Sequence, residues 1–269
     1  MTNIRPPYSA NEVEWKNTSS KLTELVKEAK IAYKKKGLIH ILKTGFLMII
    51  EYIQLYYFRQ FHNNDKFILD GKAYNYYFHP RIAKTGPSWK NERAVTIPII
   101  WNVIQEYRSK GKNVLEMGNV LSYTFKVDHD IVDKYEISDG VINEDIVDFN
   151  PNKKYDLIVS VLSLQSVGWD EVPQDPPKIL RAIEHLKRML SSDGKIIIAV
   201  GWGWNQYFDN LLFEKTFEFE KQLYLKKENG YRWIQVENID GIVESKYNEK
   251  IPTATAIIIG TIENKDILK

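Results

Sequence analysis

Residues 113–125 read NVLEMGNVLSYTF. Asn113 to Met117 is a short, mostly apolar run carrying Glu116 near its end, and Gly118 follows at once. A short apolar run bounded by turn residues predicts a buried strand. A glycine directly after it lets the backbone approach a ligand closely. The same rhythm continues downstream. Asp130–Asp133 (DIVD) and Val141-Ile142 within Gly140–Ile146 are short strand signals, and Tyr155–Val161 (YDLIVSV) is a strongly β-branched one. Ile179, Leu180, Ile183, Leu186, Met189 and Leu190 fall at helical spacing, behind Asp175 as cap with Pro176 and Pro177 in the first turn. Asp193-Gly194 is read as the helix end, and Lys195–Val200 (KIIIAV) as the next strand. Two more strands are read at Tyr231–Val236 and Thr253–Ile262. Continuous apolar strands alternating with helices predict an α/β sheet covered on both faces.

Upstream the pattern is helical. Asn91–Arg108 reads as a helix kinked or restarted near Pro98. His79–Ser88 reads as a loop, and Lys66–Phe78 as a β-hairpin turning at Asp70-Gly71. Ser19–Phe61 reads as helical. The chain is therefore divided into a helical extension with a hairpin, residues 1–88, and an α/β domain, residues 89–269. Within the extension, Gly37–Phe61 is strongly apolar and aromatic, interrupted by Lys43, Glu51 and Arg59 and preceded by Lys34–Lys36. No uncharged stretch there reaches the roughly 18 residues of a spanning helix. Two readings stand: a helix packed on its own domain, or an interfacial helix in peripheral contact with a membrane. The polar N-terminus MTNIRPPYSANEVEW has no signal-peptide character, so a cytoplasmic location is expected.

Hydrophobic residues make up 43% of the 269, enough for a sizeable core. Lys and Arg (37) nearly balance Asp and Glu (35), and no basic module for nucleic acid stands out. The chain has no cysteine, which excludes disulfides, thiolate metal sites and a cysteine nucleophile. The five histidines, His40, His62, His79, His129 and His185, lack metal-ligand spacing, so no metal is expected. Asp128-His129-Asp130 has the Asp-x-Asp form used by glycosyltransferases to hold a metal and a sugar diphosphate, but it precedes a strand where such a site would follow one.

In open α/β sheets ligands bind beyond the carboxyl ends of the strands. The residues there are Glu116, Gly118 and Asn119, then Asp133, then Asp145 and Ile146. After the fourth strand come Ser163, Gln165, Ser166, Trp169 and Asp170, and after the fifth Trp202, Trp204, Asn205 and, close by, Tyr207. This series resembles the class I S-adenosylmethionine-dependent methyltransferases. The motifs LEMGNVLSYTF, VDKYE, GVINEDIVDF and KKYDLIVSVLSLQSVGWDE resemble a methyltransferase-like subgroup associated with cell-surface glycan assembly. That subgroup's upstream W-x-N-E-R motif stands here as Trp89, Asn91, Glu92 and Arg93.

The resemblance covers about Trp89–Thr261 and implies a Rossmann-like fold: a mostly parallel seven-stranded sheet with an antiparallel last strand. It implies S-adenosylmethionine as cofactor. Glu116, Gly118, Asn119 and Ser163 would line its site, Asp133 would hold both ribose hydroxyls, and Asp145 with Ile146 would bracket the adenine. Arg93 would meet the methionine carboxylate or brace the pocket. Asp170, Gln165 and Asn205 are the catalytic candidates. Ser166, Trp169, Trp202, Trp204 and Tyr207 are the candidates for substrate contact. The chain departs from the pattern in three places. One glycine stands in the loop, Gln165-Ser166 replaces Glu-His, and Val200-Gly201-Trp202 stands where a proline and a tyrosine are usual. The preferred reading is methyl transfer to an oxygen of a small molecule or glycan. The alternatives are a non-catalytic subunit binding a protein partner, a second copy or a membrane, and, further off, a glycosyltransferase.

Overall fold

The structure, a computed structural model, describes residues 18–79, 86–248 and 253–264. The N-terminal residues 1–17 and most of the loop read at His79–Ser88 lie outside them. Helix α1 (Thr18–Phe61) is followed by the hairpin strands β1 (Lys66–Leu69) and β2 (Lys72–Asn75) and by helix α2 (Arg93–Ser109). Strands β3 (Val114–Met117), β4 (Asp130–Val132), β5 (Val141–Ile142) and β6 (Tyr155–Val161) come next. Helix α3 (Lys178–Arg188), β7 (Leu190–Gly201), α4 (Gln206–Phe213), β8 (Lys221–Lys227) and β9 (Trp233–Val236) follow. The short pair β10 (Tyr247–Asn248) and β11 (Thr253–Ala254) precedes the long β12 (Ala256–Glu263).

Eight strands form one sheet in the order β5-β4-β3-β6-β7-β12-β8-β9. β5, β4, β3, β6 and β7 are mutually parallel, and β12 runs antiparallel to both β7 and β8. The order reverses between β3 and β6: the chain moves outward from β3 to β5 and then returns. A crevice opens at such a switch point, beyond the carboxyl ends of the strands. The order and directions of the strands define a Rossmann-like methyltransferase fold, with eight strands in the sheet where seven were expected and β9 at its edge.

The sheet is buried on both faces. On one side Ile179, Ala182, Ile183 and Leu186 of α3 and Phe208 and Leu212 of α4 pack over Ile158, Ile196, Ile198 and Ile258. On the other, Ile97, Ile100, Trp101 and Ile104 of α2 cover Leu157, Val159 and Val161. Pro98 sits inside α2 and lacks an N–H for the carbonyl of Ala94. That carbonyl accepts instead from Tyr77 N at 3.0 Å, which ties the segment after β2 to the helix.

Several elements differ from the sequence reading. β8, β10 and α4 were not expected, and the strand read at Thr253–Ile262 is split into β11 and β12. β8 reads KQLYLKK, and the lysines that solvate its ends break up the apolar signal. α3 ends at Arg188, and Leu190 through Gly194 already belong to β7, so Asp193-Gly194 lies inside a strand. There the pairing with β6 shifts register between Tyr155 and Leu157, which makes room for turn-forming residues in an extended run. The hairpin matches its reading, with Leu69 opposite Lys72 and positive φ at both Asp70 (52°) and Gly71 (71°), the requirement of a tight two-residue turn.

The extension and the sheet share a core. Phe67, Leu69 and Tyr74 of the hairpin pack with Trp89, Val95, Leu225, Trp233 and Ile257. The end of α1 is seated on the same cluster: Leu55 is buried, and Phe58 stacks on Trp89 with ring centroids 5.3 Å apart. Arg59 donates to the carbonyl of Phe78, and His62 Nδ1 lies 3.0 Å from Asp65 Oδ2 and 2.8 Å from the Tyr231 hydroxyl. The division at 88/89 therefore does not separate two cores.

A test of the packing lies in β12, where a Cβ on Gly260 would meet the ring of Phe219 at 2.5 Å. Gly260→Ala is expected to lose about 1–3 kcal/mol in urea unfolding through overpacking. Adding Phe219→Leu is expected to recover part of that loss.

Candidate active site

A cleft of about 260 Å³ opens at the switch point. Gly118, Asp133, Asp145, Ile146, Ser163, Ser166 and Asp170 line it, so residues far apart in sequence are brought together as the motif order implied. Gly118 has φ 84°, a conformation that favours glycine, and its Cβ position would lie 2.1 Å from Ser163 Oγ. Ser163 thus fills the space that the glycine leaves. Leu162, just before it, also takes a positive φ of 61°.

Glu116 lies beneath the loop and does not face the cleft. It is fully buried. Its Oε1 accepts from Val120 N and Leu121 N, both at 2.9 Å, and its Oε2 lies 3.0 Å from His129 Nε2. With both oxygens occupied inside the protein, its part is to shape the loop. Asn119 is also turned inward, donating to Glu136 Oε1 at 2.6 Å and accepting from Ser122.

Asp133 stands at the carboxyl end of β4. Its Oδ2 accepts from Asn119 N at 3.0 Å, and its Oδ1 from Tyr135 N and Glu136 N at 2.9 Å. An ionised carboxylate offers about four acceptor positions. Three are used here, so Asp133 has capacity left on the oxygen that faces the glycine loop.

A ring of four charges closes one end of the cleft. Lys178 Nζ lies 2.6 Å from Asp145 Oδ2 and 2.8 Å from Glu171 Oε1, and Lys134 Nζ lies 2.9 Å and 3.0 Å from the same two carboxylates. Burial raises the pKa of Asp145 and of Glu171, but hydrogen bonds from Lys178 and Lys134 outweigh it and hold both below the usual carboxylate range. Ile146 beside them is buried and gives the cleft an apolar wall.

Trp204, outside the lining, donates from Nε1 to Oγ of the lining residue Ser166 at 3.3 Å, and its ring lies 4.8 Å from that of Tyr247. Asp170 is on the rim. Burial raises its pKa, and a hydrogen bond from Ser166 offsets part of the rise. Arg93, the first residue of α2, lies within electrostatic reach of Tyr123 and Tyr247 and outside the cleft lining. Its neighbours in the W-x-N-E-R motif hold the start of α2. Asn91 Oδ1 accepts from Arg93 N at 2.9 Å, and Glu92 Oε2 from Ala254 N at 3.0 Å.

Several candidates named from sequence are used structurally. Gln165 Oε1 accepts from Gly201 N at 2.5 Å, joining the ends of β6 and β7. Asn205 caps α4 by accepting from Phe208 N at 3.0 Å and donates to the carbonyl of Gln165 at 2.9 Å. Their polar atoms therefore point into the fold. Trp202 is buried with its indole N–H on the carbonyl of Val243, and Tyr207 packs against the α3–α4 core. Trp169 lies outside the cleft lining, its carbonyl held by Gln174. Asp128 and Asp130 enter separate ion pairs with Arg108 and Lys153. Among the described residues no group of three or more His, Asp or Glu is placed to hold a metal ion.

Four residues at or behind the cleft were not read from sequence: Lys134 and Glu171 line it, Lys178 pairs with Asp145, and Tyr247 packs on Trp204. Nor was Asp209, on helix α4. Asp209 accepts from Gly203 N at 2.9 Å, and burial pushes its carboxyl up to about 7.

No protein-family profile matches the chain, and no curated protein matches it. Among solved structures, it is similar to the N-methyltransferase NodS from Bradyrhizobium japonicum with S-adenosylhomocysteine bound. The identity is 13% over 61% of this chain and 85% of that one, with a TM-score of 0.38. It is similar to a possible histamine N-methyltransferase from Thermotoga maritima, at 12% identity over 66% of this chain and 100% of that one, with a TM-score of 0.34. A sugar N-methyltransferase from a Streptoalloteichus species matches at 10% identity over 59% and 83%, with a TM-score of 0.30. The strand order and directions, not these similarities, define the fold here.

Two predictions follow from the buried carboxyls. Glu116→Ala strands two backbone N–H groups and a histidine, and is expected to cost on the order of 3–5 kcal/mol in urea unfolding. Glu116→Gln, which keeps an acceptor, is expected to cost much less. Asp209 binds its proton more tightly folded than unfolded, so its effect is fully present below the unfolded pKa near 3.8 and lost as pH rises through about 7. Asp209→Asn is therefore expected to gain stability relative to the parent between about pH 4 and 7, by a few kcal/mol, in unfolding titrations across that range.

Proposed function

We propose that the chain is an S-adenosylmethionine-dependent methyltransferase of the cytoplasm that methylates an oxygen of a small molecule or glycan. The observation that carries this is Asp133. It is a carboxylate with spare acceptor capacity at the end of the second parallel strand, beside a glycine turn at the sheet's switch point. That donor set suits a nucleoside: a ribose hydroxyl donates to a carboxylate oxygen, and a flat base lies against Ile146 with Leu162 and Val167 nearby. The polar edge of Asp145 and its lysines meets the outer rim of the base. Gly118 makes the positive-φ turn beside Asp133 with Ser163 packed against it, and Arg93 adds positive charge within electrostatic reach of Tyr123.

When bound, the cofactor supplies a methyl group on a cationic sulfonium, which a nucleophile displaces in line. The protein's part is to position the acceptor and exclude water. Ser166 and Asp170 lie on the lining at the acceptor end, and Trp204 with Tyr247 forms an aromatic wall beside Ser166. Asp170, whose pKa is raised by burial, is placed to take the proton of an acceptor hydroxyl. Gln165 and Asn205 act at one remove, by holding the ends of β6 and β7 together.

A second reading is a methyltransferase-like subunit without turnover. It is favoured by the commitment of Glu116, Gln165 and Asn205 to internal hydrogen bonds. Calorimetric titration with S-adenosylmethionine and S-adenosylhomocysteine tests whether the cleft binds the cofactor. Micromolar binding is expected, weakened at least tenfold in Asp133→Asn, a variant whose new amide faces a backbone N–H and which is therefore compared at a temperature below its own unfolding transition. A folded parent that binds neither compound contradicts the proposal.

A further inference from the structure

We propose that Gly37–Phe61 lies in the plane of an anionic membrane interface, with the sheet domain resting on the headgroups. The helix breaks at Gly37 (φ 79°, ψ 173°), between the Lys34–Lys36 run and the apolar stretch. From there to Phe61 it is long and apolar enough to cross a membrane by length and composition, yet only 12% of its most apolar window is buried. Leu38, Leu42, Phe46, Ile49, Ile53 and Tyr56 recur at spacings of three and four and form one face, each between 59% and 71% exposed. The opposite strip carries Lys43, Glu51 and Gln54 with Leu47 among them, and its carboxyl-terminal part meets the domain, where Glu51 and Leu55 are buried. A helix with one apolar face turned away from its domain is built to lie on a surface.

Three observations commit the face to lipid. The apolar surface also takes in Ile39, Met48 and Tyr52, which makes it wider than the seam one partner helix covers. Lys34, Lys35 and Lys36 precede it in sequence and carry the charge that an anionic surface attracts. Tyr52, Tyr56 and Tyr57, all exposed, gather near the domain, where the headgroups would be. A spanning arrangement is too short. The stretch ahead of buried Glu51, Leu38–Ile50, rises only about 20 Å, against roughly 30 Å of hydrocarbon.

The seat at Phe58, Arg59 and His62 fixes the helix to the domain, so binding would orient the whole protein. The inference does not depend on the methyltransferase reading.

The experiment is co-sedimentation of the full chain with phosphatidylcholine vesicles, with and without phosphatidylglycerol. Binding at least tenfold stronger with phosphatidylglycerol is expected, falling as salt is raised. Leu42→Glu, Phe46→Glu, Ile49→Glu and Ile53→Glu combined are expected to reduce it at least tenfold without moving the melting temperature, since all four side chains are exposed. Replacing Lys34, Lys35 and Lys36 with alanine is expected to abolish the preference for phosphatidylglycerol. Protease added outside is expected to cut residues 1–36 of the vesicle-bound protein. A parent that stays in the supernatant, or a glutamate variant that binds as well as the parent, overturns the proposal. Protection of residues 1–36 indicates a spanning helix and overturns it too. So does a lipid-free dimer that the glutamate variant dissociates and that does not bind vesicles.

Discussion

Both oxygens of Glu116 are occupied beneath the loop that follows β3, by two backbone N–H groups on one side and His129 on the other. A fully buried carboxylate is stable only where its partners are complete. Here those partners are the loop itself, so the loop takes the one shape that completes them. Gly118 then makes its positive-φ turn, Ser163 closes against it, and Asn119 N reaches Asp133. The carboxyl ends of β3, β4 and β6 are linked through this arrangement, and the cleft is what remains between them.

The extension is integrated with this frame. The proline that interrupts α2 releases the Ala94 carbonyl to Tyr77, and the aromatic cluster of Phe58, Phe78, Trp89 and Tyr231 fills the space between hairpin, helix and sheet. The start of α2, held by Asn91 and Glu92, thus also supports the seat of α1. The site and the apolar helix are two ends of one packed unit.

The parallel half of the sheet was legible in sequence because strands buried on both faces must be apolar throughout, as YDLIVSV is. β8 was not, because it carries a lysine at one end and two half-buried lysines at the other, which break up the apolar run. The positions of the cleft residues were legible in the same way, since a residue after a strand end falls at the switch point whatever its side chain does. The direction of each side chain was not. Gln165 and Asn205 read as polar loop residues facing a substrate, and they face each other's backbone and the strand ends instead. Asp145 read as an adenine neighbour, and the two lysines that meet it come from Lys134 and Lys178, which no local pattern joins to it. Long-range partners decide orientation, and a single sequence does not display them.

On the proposed reading, the loop after β3 and the acid after β4 form one cofactor site. The decisive measurement is hydrogen–deuterium exchange with and without S-adenosylhomocysteine. Slowed exchange is expected at 118–123 and 133–136 together, with the β8–β9 edge unchanged. Unchanged exchange at both segments in a saturating concentration of the ligand would contradict that reading.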